Sequence, residues 1–185
     1  MVQVKGSAVT SRVRYVRERF GEAAYRRLRD ALSKPHQELL DGRVLPHAWV
    51  PYDLFIALNV EADRMFGKGD LALVFEMAKY GAETNLPTLY RIFYRLNTPK
   101  FLFNKAARLW EVHYDSGRMV PLDEGERSMR VRIDDFAEPH AAHCISVLGW
   151  AVRSVELSGA TVAGYAEERC RTRGDDTCEM LISWR

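Results

Sequence analysis

All three cysteines of the chain fall in its last quarter, and a glutamate stands three positions before the second: Cys144, then Glu167-x-x-Cys170, then Cys178 after a gap of seven residues. Three thiolates and a carboxylate that converged would suit a tetrahedral zinc ion, which accepts soft sulfur ligands and has no geometric preference of its own. Four protein ligands would leave no open position for water, so the role would be structural. With the metal's own charge counted, such a site keeps a net negative charge, which Arg169, Arg171 and Arg173 stand close enough in sequence to offset. Strand alternation leaves the carboxylate open: in an ideal strand Glu168, not Glu167, shares a face with Cys170. Three buried cysteines acting as small hydrophobes are the plain alternative.

To bring these residues together, a helix must carry Cys144 over a terminal hairpin. Ala141, Ile145, Leu148, Val152 and Val155 form one helical stripe from about Pro139 to Leu157. Ser158-Gly159 ends it. Thr161 to Cys170 and Cys178 to Trp184 read as strands around Gly174-Asp175-Asp176. Before them, Trp110 to Asp115 alternates as a strand, Asp115-Ser116-Gly117-Arg118 as a turn, and Met119 to Leu122 as a short strand. Met129, Val131 and Ile133 alternate with Arg130 and Arg132, giving a strand with one wet face.

The first 109 residues are helical in pattern. Val9, Val13, Val16 and Phe20, then Ala24, Leu28 and Leu32, recur at helical spacing on two helices broken near Gly21. Lys34-Pro35 stops the second. Further helices are expected over Pro51–Phe66, Leu71–Gly81, from Thr84 through Leu96, and from Pro99 to about Leu109. The sum is one α+β domain over residues 1–185, with a mainly helical half (1–109) and a strand-rich half (110–185) that carries the Cys/Glu cluster. N-terminal helices pack on one face of an antiparallel sheet of about five strands, with a long helix before the terminal hairpin.

The order helix-Cys144, Gly149-Trp150, Glu167-x-x-Cys170, Gly174-Asp175, Cys178 resembles the vinyl-reductase-type (4-vinyl reductase) small-molecule-binding domain over about Trp110 to Trp184. That domain forms the sensor part of phenol- and toluene-responsive activators and is similar in fold to small TRAPP tethering subunits. The resemblance implies zinc held by Cys144, Glu167, Cys170 and Cys178. It also implies an apolar cavity between sheet and helices, for which periodicity offers Phe75, Tyr80, Tyr90, Tyr94, Phe101, Trp110, Val112, His113, Tyr114 and Trp150. His143 could hydrogen-bond a ligand there. For each single aromatic, an ordinary core role is the alternative.

Composition narrows the rest. At 47% apolar and 28% charged the chain is of ordinary globular type. It lacks a run of about 18 apolar residues and an N-terminal apolar signal region, and an odd number of cysteines argues against a secreted disulfide framework. A cytoplasmic protein is expected. Nine Lys/Arg against three Asp/Glu in residues 1–35 read as a solvated helical face rather than a nucleic-acid surface. Tyr114-x-Ser116-x-Arg118 matches the propionate clamp of haem nitric-oxide-binding domains, but these need a proximal histidine on a preceding helix. No histidine lies between His47 and His113, and Ser116-Gly117 reads as a turn, so haem is not expected.

Nucleophile elbow, phosphate loop and two-histidine metal motifs are absent from the sequence, so no enzyme is expected. The expectation is a stand-alone ligand-binding or sensor module for a small hydrophobic or aromatic molecule. It would signal as a homodimer or through a partner protein, since neither an ATPase segment nor a helix-turn-helix is present. A scaffold module like the tethering subunits, and an accessory role in tetrapyrrole biosynthesis, are the alternatives.

Overall fold

The computed structural model describes residues 1–84, 98–108 and 110–185. A short ribbon opens the fold, β1 (Gln3–Lys5) pairing antiparallel with β2 (Trp49–Pro51). Between them run α1 (Gly6–Phe20), α2 (Glu22–Ala31) and α3 (Lys34–Asp41). After β2 come α4 (Tyr52–Phe66), α5 (Ala72–Thr84), α6 (Pro99–Arg108) and the single turn α7 (Trp110–His113). The second half holds β3 (Arg118–Asp123), β4 (Ser128–Asp134), the long α8 (Ala141–Leu157), β5 (Val162–Arg169) and β6 (Cys178–Trp184). The four strands form one antiparallel sheet in the order β3-β4-β6-β5. This is an α+β architecture, with a long helix before the terminal hairpin.

Alternation sets the sheet's inner face. Met129, Val131 and Ile133 of β4 are buried, as are Cys178, Met180, Ile182 and Trp184 of β6. Arg130 and Arg132 face outward and pair with Glu124, Glu168 and Glu179, and with Asp134, respectively. Against the inner face lies α8, whose His140 cap accepts from the Ala142 N–H through Nδ1 at 3.1 Å. α5 packs on α8 so closely that a Cβ at Gly149 would sit 2.5 Å from the Phe75 carbonyl oxygen and 3.0 Å from Ala78 Cβ. Arg153 bridges Glu83 and Glu156 at 2.7 Å each, and Lys79 meets Glu156 at 2.9 Å, along the same seam.

Four expectations are corrected. Trp110–Asp115 is not a strand: Trp110–His113 is a helical turn, and Trp110 and Tyr114 stack at 4.5 Å between ring centroids. Among the described residues the sheet therefore has four strands, and a separate two-stranded ribbon lies at the N-terminus. Lys34-Pro35 does not stop α2, which ends earlier at Ala31; Pro35 lies in the first turn of α3, where a proline needs no amide hydrogen. On α1 the buried residues are Gly6, Val9, Ser11, Arg12 and Val16, while Phe20 is exposed and Val13 half-buried. The helix expected from Thr84 through Leu96 lies mostly outside the described residues.

Candidate ligand cavity and cysteine cluster

The helices line a partly open cavity of about 220 Å³. β1 gives it Val4; α1 gives Ser7, Ala8, Ser11 and Arg12; α4 gives Phe55; and α5 gives Ala78, Gly81 and Ala82. Its other wall is Ala106 of α6, Trp110 and His113 of α7, then Tyr114, Met119, and Ser146, Val147 and Trp150 of α8. Small residues on α1 and α5 hold the space open: a Cβ at Gly81 would stand 2.9 Å from Arg12 Nη1.

Arg12 is the unusual wall residue, at 5% exposure. Its Nε donates to Asn59 Oδ1 (2.9 Å), Nη1 to the Met77 carbonyl (3.0 Å) and Ser11 Oγ (3.3 Å), and Nη2 to Ser146 Oγ (2.6 Å). Every one of these acceptors is neutral. Burial without a carboxylate pulls its pKa down to about 10. Tyr114, beside it, is pushed up to about 12 by burial.

Of the residues the sequence offered for the pocket, Trp110, His113, Tyr114 and Trp150 line this cavity. Phe75 instead stacks on Tyr165 at 5.1 Å, and Tyr80 donates to Glu18 at 2.6 Å from an edge-on contact with Tyr15. Phe101 and Val112 are about half exposed, at 46% and 50%. Tyr90 and Tyr94 lie outside the described residues. His143 does not line the cavity. It sits behind it in a cage of Tyr52, Trp110, Tyr114 and Phe136, where burial pulls its pKa down to about 3 and its Nε2 finds no partner among the described residues.

Sequence reasoning passed over Arg12, Ser11 and Ser146. The signal was present: Arg12 stands three residues after Val9 and four before Val16, inside the apolar stripe rather than opposite it.

The Tyr-x-Ser-x-Arg residues do not converge. Tyr114 faces the cavity. Ser116 Oγ accepts from the Ala137 N–H (2.9 Å), and the Ser116 carbonyl accepts from Trp110 Nε1 (3.0 Å). Gly117 turns the chain at φ +64°, and Arg118 points to Asp135 (2.6 Å) and Asp134 (3.4 Å) with its side chain 61% exposed.

The sulfurs of Cys144, Cys170 and Cys178 lie within 4.8 Å of one another, all three buried and free. Cys170 reaches them because β5 shifts register between Glu167 and Arg169 and ends there. Its N–H is held by Asp175 Oδ2 at 2.7 Å. The Arg171 N–H meets Cys178 Sγ at 3.4 Å, and the neighbouring thiols, Cys144 foremost, together with this bond pull the Cys178 thiol down to about 6. Glu168 is turned outward to Arg130. Glu167 pairs with Arg173, and its other oxygen, Oε1, is buried without a hydrogen-bond partner among the described residues. Among the described residues, the group able to hold a metal contains the three cysteines without a carboxylate.

No family model and no curated protein sequence matches the chain. Solved structures do. An H-NOX protein from S. oneidensis in the Fe(II)NO state superimposes with a TM-score of 0.75 at 9% identity, over 98% of this chain and 99% of that one. An unliganded Fe(II) H-NOX mutant from K. algicida gives 0.68 at 11% identity, covering 98% and 96%. An oxygen-binding H-NOX domain related to soluble guanylate cyclases gives 0.62 at 12% identity, covering 98% and 95%. These findings correct the resemblance to the vinyl-reductase-type domain and to tethering subunits, and with it the structural zinc. The solved neighbours are described by their Fe(II) ligation states and, in one case, by haem distortion, and here Oε2 of Glu167 pairs with Arg173. Over nearly its whole length, the chain has the fold of an H-NOX domain.

Proposed function

We propose that the chain is a ligand-binding sensor module, binding rather than catalytic, whose ligand occupies the cavity between α1, α5 and α8. The observation that carries this reading is a partly open cavity of about 220 Å³, walled by helices from both halves of a chain that shares its fold over nearly its whole length with H-NOX proteins, one of them an oxygen-binding domain. Occupancy would bear on how α5 and α8 sit against each other, and output would pass to a partner protein or a second copy. Among the described residues no helix is long and apolar enough to cross a membrane.

The fold implies haem, and the residues present do not fit it. Arg118, the clamp's cation, is committed to Asp134 and Asp135 on the outer side, and Ser116 to Ala137. Histidine holds haem iron in globins and peroxidases, and here the one histidine in the cavity wall, His113, stands directly beside the clamp's Tyr114, while no other lies between it and His47. The cavity is also smaller than the roughly 300–1,000 Å³ of drug-sized sites. It suits a more compact guest than a porphyrin.

Thermal unfolding of the full chain against a panel of compact amphiphiles tests the reading. A true ligand at about 100 times its Kd adds about 2.7 kcal/mol and raises Tm by roughly 5–10 °C. Ala82→Leu, which fills the cavity, should abolish the shift. A shift that survives that substitution, or none with any compact amphiphile, would sink it.

A further inference from the structure

Arg12 is the one buried cation in the cavity wall for which the described residues supply no carboxylate. Four of the five N–H donors of a guanidinium are spent on Asn59, Met77, Ser11 and Ser146. These bonds satisfy hydrogens, not charge, and an uncompensated buried charge is costly. The remaining N–H is on Nη2, beside Ser146. The Ser146 hydroxyl accepts from Nη2, and its own proton has no acceptor among the described residues. Both groups stand in the cavity wall. Two donors and a full positive charge therefore meet in the wall of a space whose lining is mostly apolar, Ala8, Ala82, Ala106, Met119 and Val147 among it, with Ser7, Ser11, His113 and Tyr114 as its other polar residues.

We infer that the cavity takes a small organic anion, a monocarboxylate on a compact apolar body, whose carboxylate accepts from Arg12 Nη2 and Ser146 Oγ. This rests on the sensor reading and names its ligand class. Charge-assisted pairing of guanidinium with carboxylate is about twice as strong as neutral hydrogen bonding. It supplies the counter-charge that Arg12 lacks, so the anion rather than its neutral analogue is selected. Size sets the body: an apolar cavity of about 150 Å³ takes benzene, and 220 Å³ has room for one ring or a short chain together with its carboxylate. A fall of the Arg12 pKa to about 10 leaves the group charged at neutral pH, ready for such a guest.

The test is titration calorimetry of the full chain with benzoate and hexanoate, against benzamide and hexanamide as neutral isosteres and inorganic phosphate as an anion without an apolar body. Carboxylates should bind at least tenfold more tightly than their amides, and phosphate should not bind. R12Q should weaken carboxylate binding by a factor of a hundred or more while leaving amide binding within a few-fold, and R12K should restore part of it. Should R12Q fail to fold, S146A keeps the test alive, with an expected loss of about tenfold for the carboxylates alone. Equal affinity for acids and amides would overturn the charge argument and leave the sensor reading standing. Binding of phosphate, or carboxylate binding indifferent to R12Q, would mark a surface effect and also overturn it. Failure of every compact acid and amide to bind would remove both.

Discussion

Replacing Arg12 with methionine separates a residue kept for a ligand from one kept for the fold. Burial lowers the guanidinium pKa from 12.5 to about 10, which at about 1.4 kcal/mol per tenfold makes the charged form about 3 kcal/mol less favourable folded than unfolded. The folded value lies below the unfolded one, so this penalty is fully present at neutral pH and is relieved only as pH climbs from about 10 towards 12.5. Against it stand four hydrogen bonds, each worth about 1 kcal/mol net. The two sums nearly cancel, and the methionine stem keeps most of the packing against Phe55 and the α5 glycine. Arg12→Met should therefore change the unfolding free energy by less than about 2 kcal/mol, measured by urea titration of far-UV circular dichroism. Breaking a compensated buried ion pair costs about 3–5 kcal/mol. A loss of that size would refute the reasoning, because it would mean that the charge of Arg12 is already answered within the protein.

Two further substitutions probe the frame around the cavity. Gly149→Ala places a methyl 2.5 Å from the Phe75 carbonyl, an overpacking worth about 1–3 kcal/mol. Calorimetry should show Tm lower by roughly 3–10 °C, and an unchanged Tm would mean that α5 and α8 are not in such close contact. His143 is held neutral, its pKa down at about 3, so the unfolded chain binds the extra proton between about pH 6.5 and 3. Stability should fall as pH drops through that window, by about 3 kcal/mol from this group at pH 4.5. In His143→Leu that part of the slope should vanish, and an identical pH profile would contradict the burial of the ring.

Period-2 and period-3.6 signals are legible where a segment is long enough to distinguish them. Met129-Val131-Ile133 and the α8 stripe each run over several repeats and declare strand and helix. Trp110, Val112 and Tyr114 do not: an alternation of three residues is also an i, i+4 pair with an exposed residue between, and the stacking of Trp110 on Tyr114 selects the helical turn. Pro35 is ambiguous for a different reason, since the same ring that bars one helix from continuing favours the first turn of the next. The three-residue strands Gln3–Lys5 and Trp49–Pro51 pair across more than forty positions and carry no local signature. The cysteine spacing located a cluster without naming an occupant, and motif likeness around it pointed to a different fold family from the one the backbone follows. Arg12 was hidden by its neighbours: within a run of exposed arginines it is the one turned inward, a distinction visible in helical phase and not in composition.

The fold and the site make opposite statements about haem, and one spectrum decides between them. The chain is purified from cells supplied with a haem precursor, or incubated with hemin and desalted, and its absorbance and bound iron are recorded. The account predicts no sharp Soret band and far less than one haem per chain, because Arg118 is turned outward and the cavity holds about 220 Å³. One tightly held haem per chain, lost on Tyr114→Phe, would contradict it.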